Sequence, residues 1–306
     1  MAGEKETETF RVPTSKSELT RRLAQTSGED IILVFNPETK QYTLEAVPES
    51  APEEREIGKV PAKPFLRAVR EVAFAAARGG EEPFRSILEG VLFRFDPHNL
   101  TLVAADTHRI SVSRVLVSFD IKGEVVLKAE ELEKACRTLF PRGRGARDAW
   151  VQLLSKPEGV EIKQLGGETG EFVSRVEGTF PDWEKLIPLP VEGVIFQRRE
   201  FLEKLRGFDR EEPVRFEFLK EKGIEKFRLW QKDVEGEVRE EFLSVDVEGL
   251  LVSRIAFQYR YLLDLLKNVH SDVLRMELAG ETKAAAFRKV PDENFIHLVM
   301  SYRVPW

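Results

Sequence analysis

One pattern recurs five times along the 306-residue chain: a short amphipathic segment is followed by several short segments typical of strands. The amphipathic segments place apolar residues three or four positions apart, as in Phe65, Leu66, Val69 and Val72. This spacing is typical of a helix with one buried face. We therefore predict five helices, over residues 15–26, 62–78, 129–147 (ending in a loop), 197–207 and 258–268.

The segments between these helices alternate apolar and polar residues, or are rich in β-branched and aromatic residues, as strands are. The predicted strands are IILVF, QYTLEAV, GVLFRF, LTLVAAD, ISVSRVLV, VEIKQL, EFVSRVEG, RFEFL, FRLWQ, EFLSVDV, VLRMEL, AAAFR and HLVMSYRV. A single helix cannot cover both faces of a sheet, so we expect neighbouring units to pair, with strands joined edge to edge and helices on one side. The pattern predicts an α+β fold of repeated helix-plus-antiparallel-strands units.

Proline-containing stretches divide this repeat. We interpret REIGKVPAK, around Pro61, and IPLPVEG, around Pro190, as linkers. With two units to a domain, the division predicts half a domain over residues 1–57 and full domains over residues 58–189 and 190–306. A chain of this length suits two or three domains.

The composition favours a cytoplasmic protein over a membrane or secreted one. No apolar run approaches the roughly 18 residues that cross a bilayer. The first residues, MAGEKETETF, lack the features of a signal peptide. The one cysteine, Cys136, has no partner for an internal disulfide.

Charge is distributed unevenly between the predicted helices and the rest of the chain. The five helical segments carry 18 Lys and Arg against 8 Asp and Glu, a net charge of +10. Because the whole chain carries −6, the remainder carries −16. In one helix such a surplus is typical of a solvated face. A surface lined by five positive helices would instead attract phosphate backbones without reading base sequence.

The stretch LVAADTHRIS, residues 102–111, sets an acid, a hydroxyl, an imidazole and a guanidinium side by side after a predicted strand. Residues two apart on a strand do not form an oriented Asp–His hydrogen bond. No nucleophile motif, metal-ligand spacing or glycine-rich phosphate loop accompanies them. We therefore expect no enzyme activity, catalytic residue, metal or cofactor. The simplest interpretation is a turn at Asp106 and Thr107, with Arg109 paired to a nearby acid.

Four segments, in order and at suitable spacing, resemble the signature segments of one family. They are SILEGVLFRF, TLVAADTHRIS, RVEGTFPDWEKLIP and HLVMSYRV. The family is the bacterial DNA polymerase III beta subunit, the replicative sliding clamp, and the resemblance covers residues 58–306. It implies a DNA-clamp fold, in which two chains form a ring with sheets outside and helices lining the inside. Residues 8–57 match only half of the family's first domain, so one of six units is missing.

The resemblance also implies a binding site, because the strand-end motif forms one wall of an apolar peptide-binding cleft in this family. The matching residues here are Leu88, Ala105, Thr107, His108, Arg109, Ile110, Pro181, Lys185, Leu186, Gln258, Tyr261, Leu298, Val299, Met300, Ser301, Tyr302 and Arg303. Apolar side chains suit a peptide's anchors, and His, Arg and Tyr supply directional hydrogen bonds. The chain departs from the family at Thr107, usually a glycine, and at its last three residues, where we expect Trp306 to pack rather than to dock a partner.

Two further residue sets complete the predicted sites. The candidate DNA-binding residues are Lys63, Arg67, Arg70, Arg85, Lys134, Arg137, Arg198, Arg199 and Lys204. The candidate dimer contacts are Leu19, Leu23, Tyr42 and Leu44, for which core packing within the half domain is an equal alternative.

The expected function is that of a sliding-clamp-like processivity factor in DNA replication or repair. The expected partners are double-stranded DNA without sequence preference, and DNA polymerase, clamp loader and repair proteins through short peptide motifs. We expect a homodimer and no membrane contact. Because one unit is missing, a second function stays open: a clamp-derived adaptor that binds the same peptides without encircling DNA.

Overall fold

The structure is a computed structural model that describes residues 9–10, 31–36, 41–46, 55–79, 83–141, 145–189, 193–221, 224–232, 235–248 and 254–306. The chain divides into two compact units, residues 1–53 and 54–306. The first unit contains an antiparallel sheet of β1 (Thr9–Phe10), β2 (Ile31–Asn36) and β3 (Gln41–Ala46), in the order β1-β3-β2. The predicted helix over residues 15–26 lies outside the described residues.

The second unit contains seventeen described strands and four described α-helices. The strands are β4 (Arg55–Pro61), β5 (Gly90–Asp96), β6 (Asn99–Ala105), β7 (Arg109–Leu116), β8 (Gly123–Lys128), β9 (Trp150–Lys156), β10 (Gly159–Gln164), β11 (Gly170–Ser174), β12 (Gly193–Gln197), β13 (Pro213–Glu221), β14 (Ile224–Lys232), β15 (Val238–Leu243), β16 (Val245–Glu248), β17 (Arg254–Gln258), β18 (Val273–Leu278), β19 (Ala285–Lys289) and β20 (Phe295–Val299). The helices are α1 (Ala62–Ala73), α2 (Ala129–Leu139), α3 (Arg198–Leu205) and α4 (Tyr259–Asn268), with 3-10 helices at Pro83–Glu89 and Trp183–Leu186. Four of the five predicted helices are thereby confirmed.

Each α-helix of the second unit follows a strand with no residue between them: β4 runs into α1, β8 into α2, β12 into α3 and β17 into α4. The interpretation of the stretch around Pro61 as a linker was therefore wrong. That stretch is β4, which pairs with β9 and ends at Pro61. A proline fits there because it lacks only an N–H, and its fixed φ suits entry into a helix. The corresponding linker residues 190–192 lie outside the described part of the chain.

The described strands of the second unit form three antiparallel sheets. Two have four strands each, in the orders β11-β10-β9-β4 and β15-β14-β13-β17. The third has nine, in the order β16-β12-β18-β19-β20-β7-β6-β5-β8. At its centre β20 pairs with β7, with Leu298 opposite Ile110, so strands of the predicted second and third domains join in one sheet. The expected edge-to-edge joining is confirmed.

The two faces of the nine-stranded sheet pack against different partners. Alternate residues of a strand point to opposite faces. One face carries two large apolar cores: the first packs β5 and β6 against α1 and α2, and the second packs β18, β19 and β20 against α3 and α4. The other face carries a smaller apolar cluster, which we call the outer cluster: Leu92, Val103, Ala105, Ile110, Val112, Val126, Trp183, Ala286, Ile296 and Leu298. The sheet therefore separates the helices from the outer cluster.

Candidate functional site

The turn between β6 and β7 is built around the carboxylate of Asp106. Its Oδ1 accepts hydrogen bonds from the backbone N–H groups of His108, at 2.7 Å, and Arg109, at 2.9 Å. Thr107 Oγ1 lies 2.8 Å from His108 Nδ1. This geometry is an Asx turn, as expected for Asp106 and Thr107. The Asp106 carboxylate accepts hydrogen bonds from backbone N–H groups and from Arg109, not from the imidazole of His108. The turn therefore does not form an acid–base relay.

Arg109 joins three elements through one guanidinium group. It donates to Asp106 Oδ2 at 3.0 Å, to Asp264 Oδ2 of α4 at 2.7 Å and to the backbone oxygen of Phe74, just after α1, at 2.9 Å. The guanidinium carbon also lies 4.8 Å from the ring centroid of Tyr261. The expected ion pair of Arg109 with a nearby acid is confirmed, because both Asp106 and Asp264 pair with it. Because only 9% of the side chain is exposed, Arg109 holds the junction together rather than facing a peptide.

The floor of the predicted cleft lies in the outer cluster. Ala105, Ile110 and Leu298 belong to it, and Leu88 packs against it. Trp183, the first residue of the 3-10 helix Trp183–Leu186, is a buried member of the same cluster. Val299 lies on the opposite face of β20 and is fully buried in the second core. Its side chain therefore does not line the cleft.

The predicted rim of the cleft comprises the turn after β6, the start of α4 and the last residues of the chain. The backbone N–H of Met300 donates to the oxygen of His108 at 2.8 Å, and that of Tyr302 donates to the oxygen of Ala256 at 2.7 Å. The imidazole of His108 stacks on the ring of Tyr261, with the centroids 5.8 Å apart. Tyr261 itself is buried, whereas about half of the Met300 side chain is exposed.

The remaining predicted cleft residues surround this rim. Thr107, Pro181, Lys185, Leu186, Tyr302 and Arg303 are exposed, and Gln258 and Ser301 are half-buried. Lys185 forms an ion pair with Asp182 at 2.6 Å, which raises the pKa of its ammonium. This part of the surface therefore combines exposed apolar groups with a few polar ones, as peptide-binding sites do.

A basic groove of about 960 Å³ lies on the helix side of the sheet. Residues of α1, α2 and α4, together with the start of α3, line it. Its cationic lining residues are Lys63, Arg67, Arg70, Arg137, Arg147, Arg198 and Lys267. Glu133 is the one carboxylate among the described lining residues. The positive faces of four helices therefore gather around one groove.

Five of the nine predicted DNA-binding residues line this groove: Lys63, Arg67, Arg70, Arg137 and Arg198. The prediction did not include Arg147 and Lys267. The net positive charge of the helical segments pointed to both, but it does not show which face of a helix a residue occupies.

Some of the predicted cations are occupied by other contacts. Arg198 donates to the backbone oxygens of Leu266, at 2.8 Å, and Ser271, at 2.6 Å, and so caps the end of α4. Lys204 lies 3.5 Å from a carboxylate oxygen of Glu241. Lys134 and Arg199 are exposed outside the groove lining. The side chain of Arg85 is outside the described part of the chain.

Two groups in the groove have shifted pKa values. Burial, with a smaller contribution from Glu133, raises the pKa of the Cys136 thiol to about 12. Burial and then the charge of Arg67 lower the pKa of His270. Both shifts favour the uncharged form near neutral pH, so neither group acts as a nucleophile or fixed charge in the groove.

The predicted dimer contacts fall in the first unit. Tyr42 and Leu44 are in β3, whose side chains are not described, and Leu19 and Leu23 are outside the described residues. In the part of the chain that the structure describes, no cluster of three or more potential ligands could hold a metal ion. No described helix is long and apolar enough to cross a membrane.

Comparisons with known proteins agree with this geometry. The family model described as "DNA polymerase III beta subunit, C-terminal domain" matches residues 204–303. The "Beta sliding clamp" of Vibrio cholerae is 28% identical over 240 residues, which are 72% of this chain and 59% of that protein. The chain is thus similar to bacterial sliding clamps, the DNA polymerase III beta subunits, over most of its length. The family's Pseudomonas putida member is 26% identical over 252 residues, which are 78% of this chain and 63% of that protein.

Solved structures of family members share the fold. The sliding clamp of Pseudomonas aeruginosa matches with a TM-score of 0.70 at 19% identity, covering 94% of this chain and 81% of that one. The Bacillus subtilis clamp matches with a TM-score of 0.71 at 19% identity, covering 94% and 79%. The predicted α+β clamp fold is confirmed. The chain nevertheless spans less than two thirds of the length of the first curated relatives it matches.

Proposed function

We propose that this chain is a sliding-clamp-like processivity factor, which holds DNA polymerases and repair proteins at double-stranded DNA. The observation that carries the proposal is the placement of two candidate sites on opposite sides of one sheet. The basic groove lies among the helices, and the outer cluster with its rim lies on the other face. This arrangement lets partner proteins dock without competing with DNA for the same surface.

The groove supports DNA binding through charge alone. Six cationic side chains line it from helices of both halves of the unit, and Arg147 adds a seventh from a loop. Contacts of this kind neutralise phosphates and carry no sequence information. The contact with DNA is therefore sequence-independent, which a factor that moves along the duplex requires.

The cleft supports the docking of short peptides from DNA polymerase, clamp loader and repair proteins. Its floor is apolar, and His108 stacked on Tyr261 supplies an aromatic wall. Met300 lies beside this wall and leaves much of its side chain exposed. A flexible, polarizable side chain at a rim suits the binding of several related peptides.

The proposal includes a homodimer. Strand β15 is the last strand of its sheet among the described residues, and Val238 is exposed on it. An uncovered sheet edge is a template for a strand of another chain. The first unit, with Leu19, Leu23, Tyr42 and Leu44, supplies the other surface of the pair. Such a protein has no catalytic site and acts at the DNA in the bacterial cytoplasm.

A primer-extension assay on long single-stranded templates tests this function. With a bacterial replicative polymerase and its clamp loader, the protein is expected to lengthen the products made in one binding event. The variant Lys63→Gln, Arg67→Gln, Arg137→Gln is expected to lose this effect while still binding peptide. Shorter products in the presence of the unaltered protein would indicate competition for the polymerase, as for an adaptor, and would contradict the proposal.

A further inference from the structure

Arg215 is a buried arginine whose hydrogen-bonding capacity is mostly unused. It lies on β13 between Val214 and Phe216, which point into the second core, so its side chain lies on the opposite face of the sheet. Only 6% of the residue is exposed. Nε and Nη1 have no hydrogen-bond partner, and Nη2 makes one long bond, 3.4 Å, to the oxygen of Pro305. A guanidinium keeps its charge in proteins, so a positive charge is buried here with one weak partner.

A second unsatisfied donor lies directly across the strand pair. Trp230 on β14 is paired in register with Arg215. Its indole Nε1 is also buried without a hydrogen-bond partner. The guanidinium carbon of Arg215 lies 4.8 Å from the centroid of the indole ring. Three donor nitrogens on two stacked side chains therefore lack acceptors at one place.

The neighbouring arginines are neutralised, unlike Arg215. Arg228 forms ion pairs with Glu217 at 3.0 Å and Glu240 at 2.6 Å. Arg254 lies 3.5 Å from a carboxylate oxygen of Glu281. Among the described residues no carboxylate lies within ion-pair distance of Arg215. Arg215 is therefore a buried cation without a carboxylate partner, and burying it unpaired costs free energy that an anion would recover.

The final segment of the chain, residues 301–306, covers this place loosely. Trp306 packs edge-on against Trp230, with the centroids 6.2 Å apart, and is 44% exposed. Pro305 has no N–H to donate. The same segment begins beside Met300, whose backbone binds the His108 turn of the proposed cleft. The covered arginine and the proposed cleft are thus joined by the few residues that follow β20.

We propose that Arg215 and Trp230 form a carboxylate-binding site, which opens when residues 305–306 shift and which takes an acidic side chain of a peptide docked in the cleft. The proposal rests on the proposed peptide-binding function. A carboxylate offers two acceptor oxygens, which match the fork of guanidinium donors. The indole N–H then adds a further donor. The site favours partner peptides that carry Glu or Asp beyond their apolar anchors.

The 15N NMR signal of the Trp230 indole tests the site without any peptide. The sequence has four tryptophans, so the 15N indole signals of the full chain can be assigned with Trp→Phe variants. Blocked glutamate, N-acetylated and amidated, is expected to shift the Trp230 signal, and blocked glutamine is not. Arg215→Met is expected to abolish the shift. Arg175→Met, a control whose guanidinium is paired with Glu177 at 2.7 Å and has no contact with this site, is expected to retain it.

Peptide affinity then tests the link to the cleft. A peptide carrying the family's clamp-binding motif is compared with versions extended by Glu or by Gln at either end. The unaltered protein is expected to bind one Glu version about tenfold more tightly than its Gln counterpart, and Arg215→Met to bind both alike. If that variant fails to fold, Arg215→Lys, which keeps the charge but loses the planar fork, is expected to lose most of the preference.

The outcomes separate this proposal from the proposed function. Equal binding of the Glu and Gln peptides, with a silent Trp230 signal, would overturn the carboxylate site and leave the cleft intact. A Trp230 shift with blocked glutamate but no binding of any peptide would overturn the cleft, and with it the extension proposed here. A shift that persists in Arg215→Met would also overturn the site.

Discussion

The ammonium of Lys289 lies 2.7 Å from Oε1 and 2.8 Å from Oε2 of Glu71, and both side chains are buried. Glu71 is on α1 and Lys289 is at the end of β19, so the ion pair joins the two halves of the nine-stranded sheet. Ser113 Oγ and the backbone N–H of His270 also donate to the Glu71 carboxylate. This buried ion pair helps to hold the two halves together at their junction, and that junction positions both candidate sites.

Removing one partner of this pair is expected to destabilise the protein strongly. Lys289→Met leaves the charge of Glu71 buried and unpaired, and should lower the free energy of unfolding by about 3–5 kcal/mol. Urea unfolding followed by circular dichroism measures the change. The double variant Glu71→Leu, Lys289→Met should recover most of the loss, because no buried charge remains.

The matched control for this prediction is the exposed pair of Lys59 and Glu56, at 3.3 Å. Glu56→Gln should change the free energy of unfolding by less than about 1 kcal/mol, since water screens the pair. Equal losses in the exposed and buried variants would contradict the role assigned to Glu71 and Lys289.

Truncating the rim of the cleft is expected to weaken peptide binding. Tyr261→Ala with Met300→Ala should cost about 1–3 kcal/mol of binding free energy for a clamp-motif peptide in total, as the loss of anchors does. Isothermal titration calorimetry measures it. Met300→Ala alone is the cleaner test, because Met300 is exposed whereas Tyr261 also packs on Arg109. Leu116→Ala, exposed at the far end of β7, is the control. Unchanged affinity in the double variant would show that the peptide binds elsewhere.

Neutralising the groove is expected to reduce the salt dependence of DNA binding. Each lost phosphate contact should lower the slope of log affinity against log salt concentration by about 0.9. The variant Lys63→Gln, Arg67→Gln, Arg137→Gln should therefore bind duplex DNA more weakly and with a shallower slope, measured by fluorescence anisotropy. The control is a second triple variant that removes the same charge outside the groove lining. It replaces the exposed residues Lys59, Lys122 and Lys283 with Gln. An identical slope in both triple variants would rule out the groove as the DNA contact.

Stability is expected to fall as the pH falls below about 6.5, partly because of His297. Burial, and then the charge of Arg109, hold its pKa well below the usual value of 6.5. The unfolded chain therefore binds a proton in this range that the folded chain does not. The free energy of unfolding loses up to about 1.4 kcal/mol per pH unit for this group.

A comparison with His297→Asn isolates that contribution. The asparagine amide N–H can donate to Ser111 Oγ, which lies 3.1 Å from His297 Nδ1 and gives its own proton to the backbone oxygen of Glu71. Urea unfolding between pH 6.5 and 5 should show a smaller loss of unfolding free energy in the variant. The difference should correspond to the uptake of about one proton. His270, whose pKa is also lowered, contributes equally to both proteins. Parallel pH profiles would contradict a neutral, buried His297.

The repeat was predictable from the sequence because its helices have clear apolar periodicity and its strands clear alternation. The strands that run directly into helices were harder to recognise. Residues 55–61 contain a glycine, a proline and three charged residues, yet they form β4 because β9 supplies a pairing partner almost a hundred residues away. Propensity within a short window cannot detect such a partner.

The burial and the hydrogen-bond partners of the predicted cleft residues were not predictable from the sequence. Arg109 was expected to face a peptide, but its partners Asp264 and Phe74 are distant in sequence, so only the folded chain shows that its donors are used. Val299 was placed in the cleft by its neighbours in the motif, although the alternation of β20 turns it into the core. Arg215 carried no motif, and its unpaired state appears only when its neighbours on the sheet are known.

Retention on circular DNA tests the central claim most directly. The protein, incubated with nicked circular DNA and a bacterial clamp loader, is separated from free protein by gel filtration in salt that abolishes simple electrostatic binding. The account predicts that the protein elutes with the circle and is released when a restriction enzyme cuts it, since a ring slides off an end. Equal retention before and after cutting, or peptide binding without retention on the circle, would contradict it.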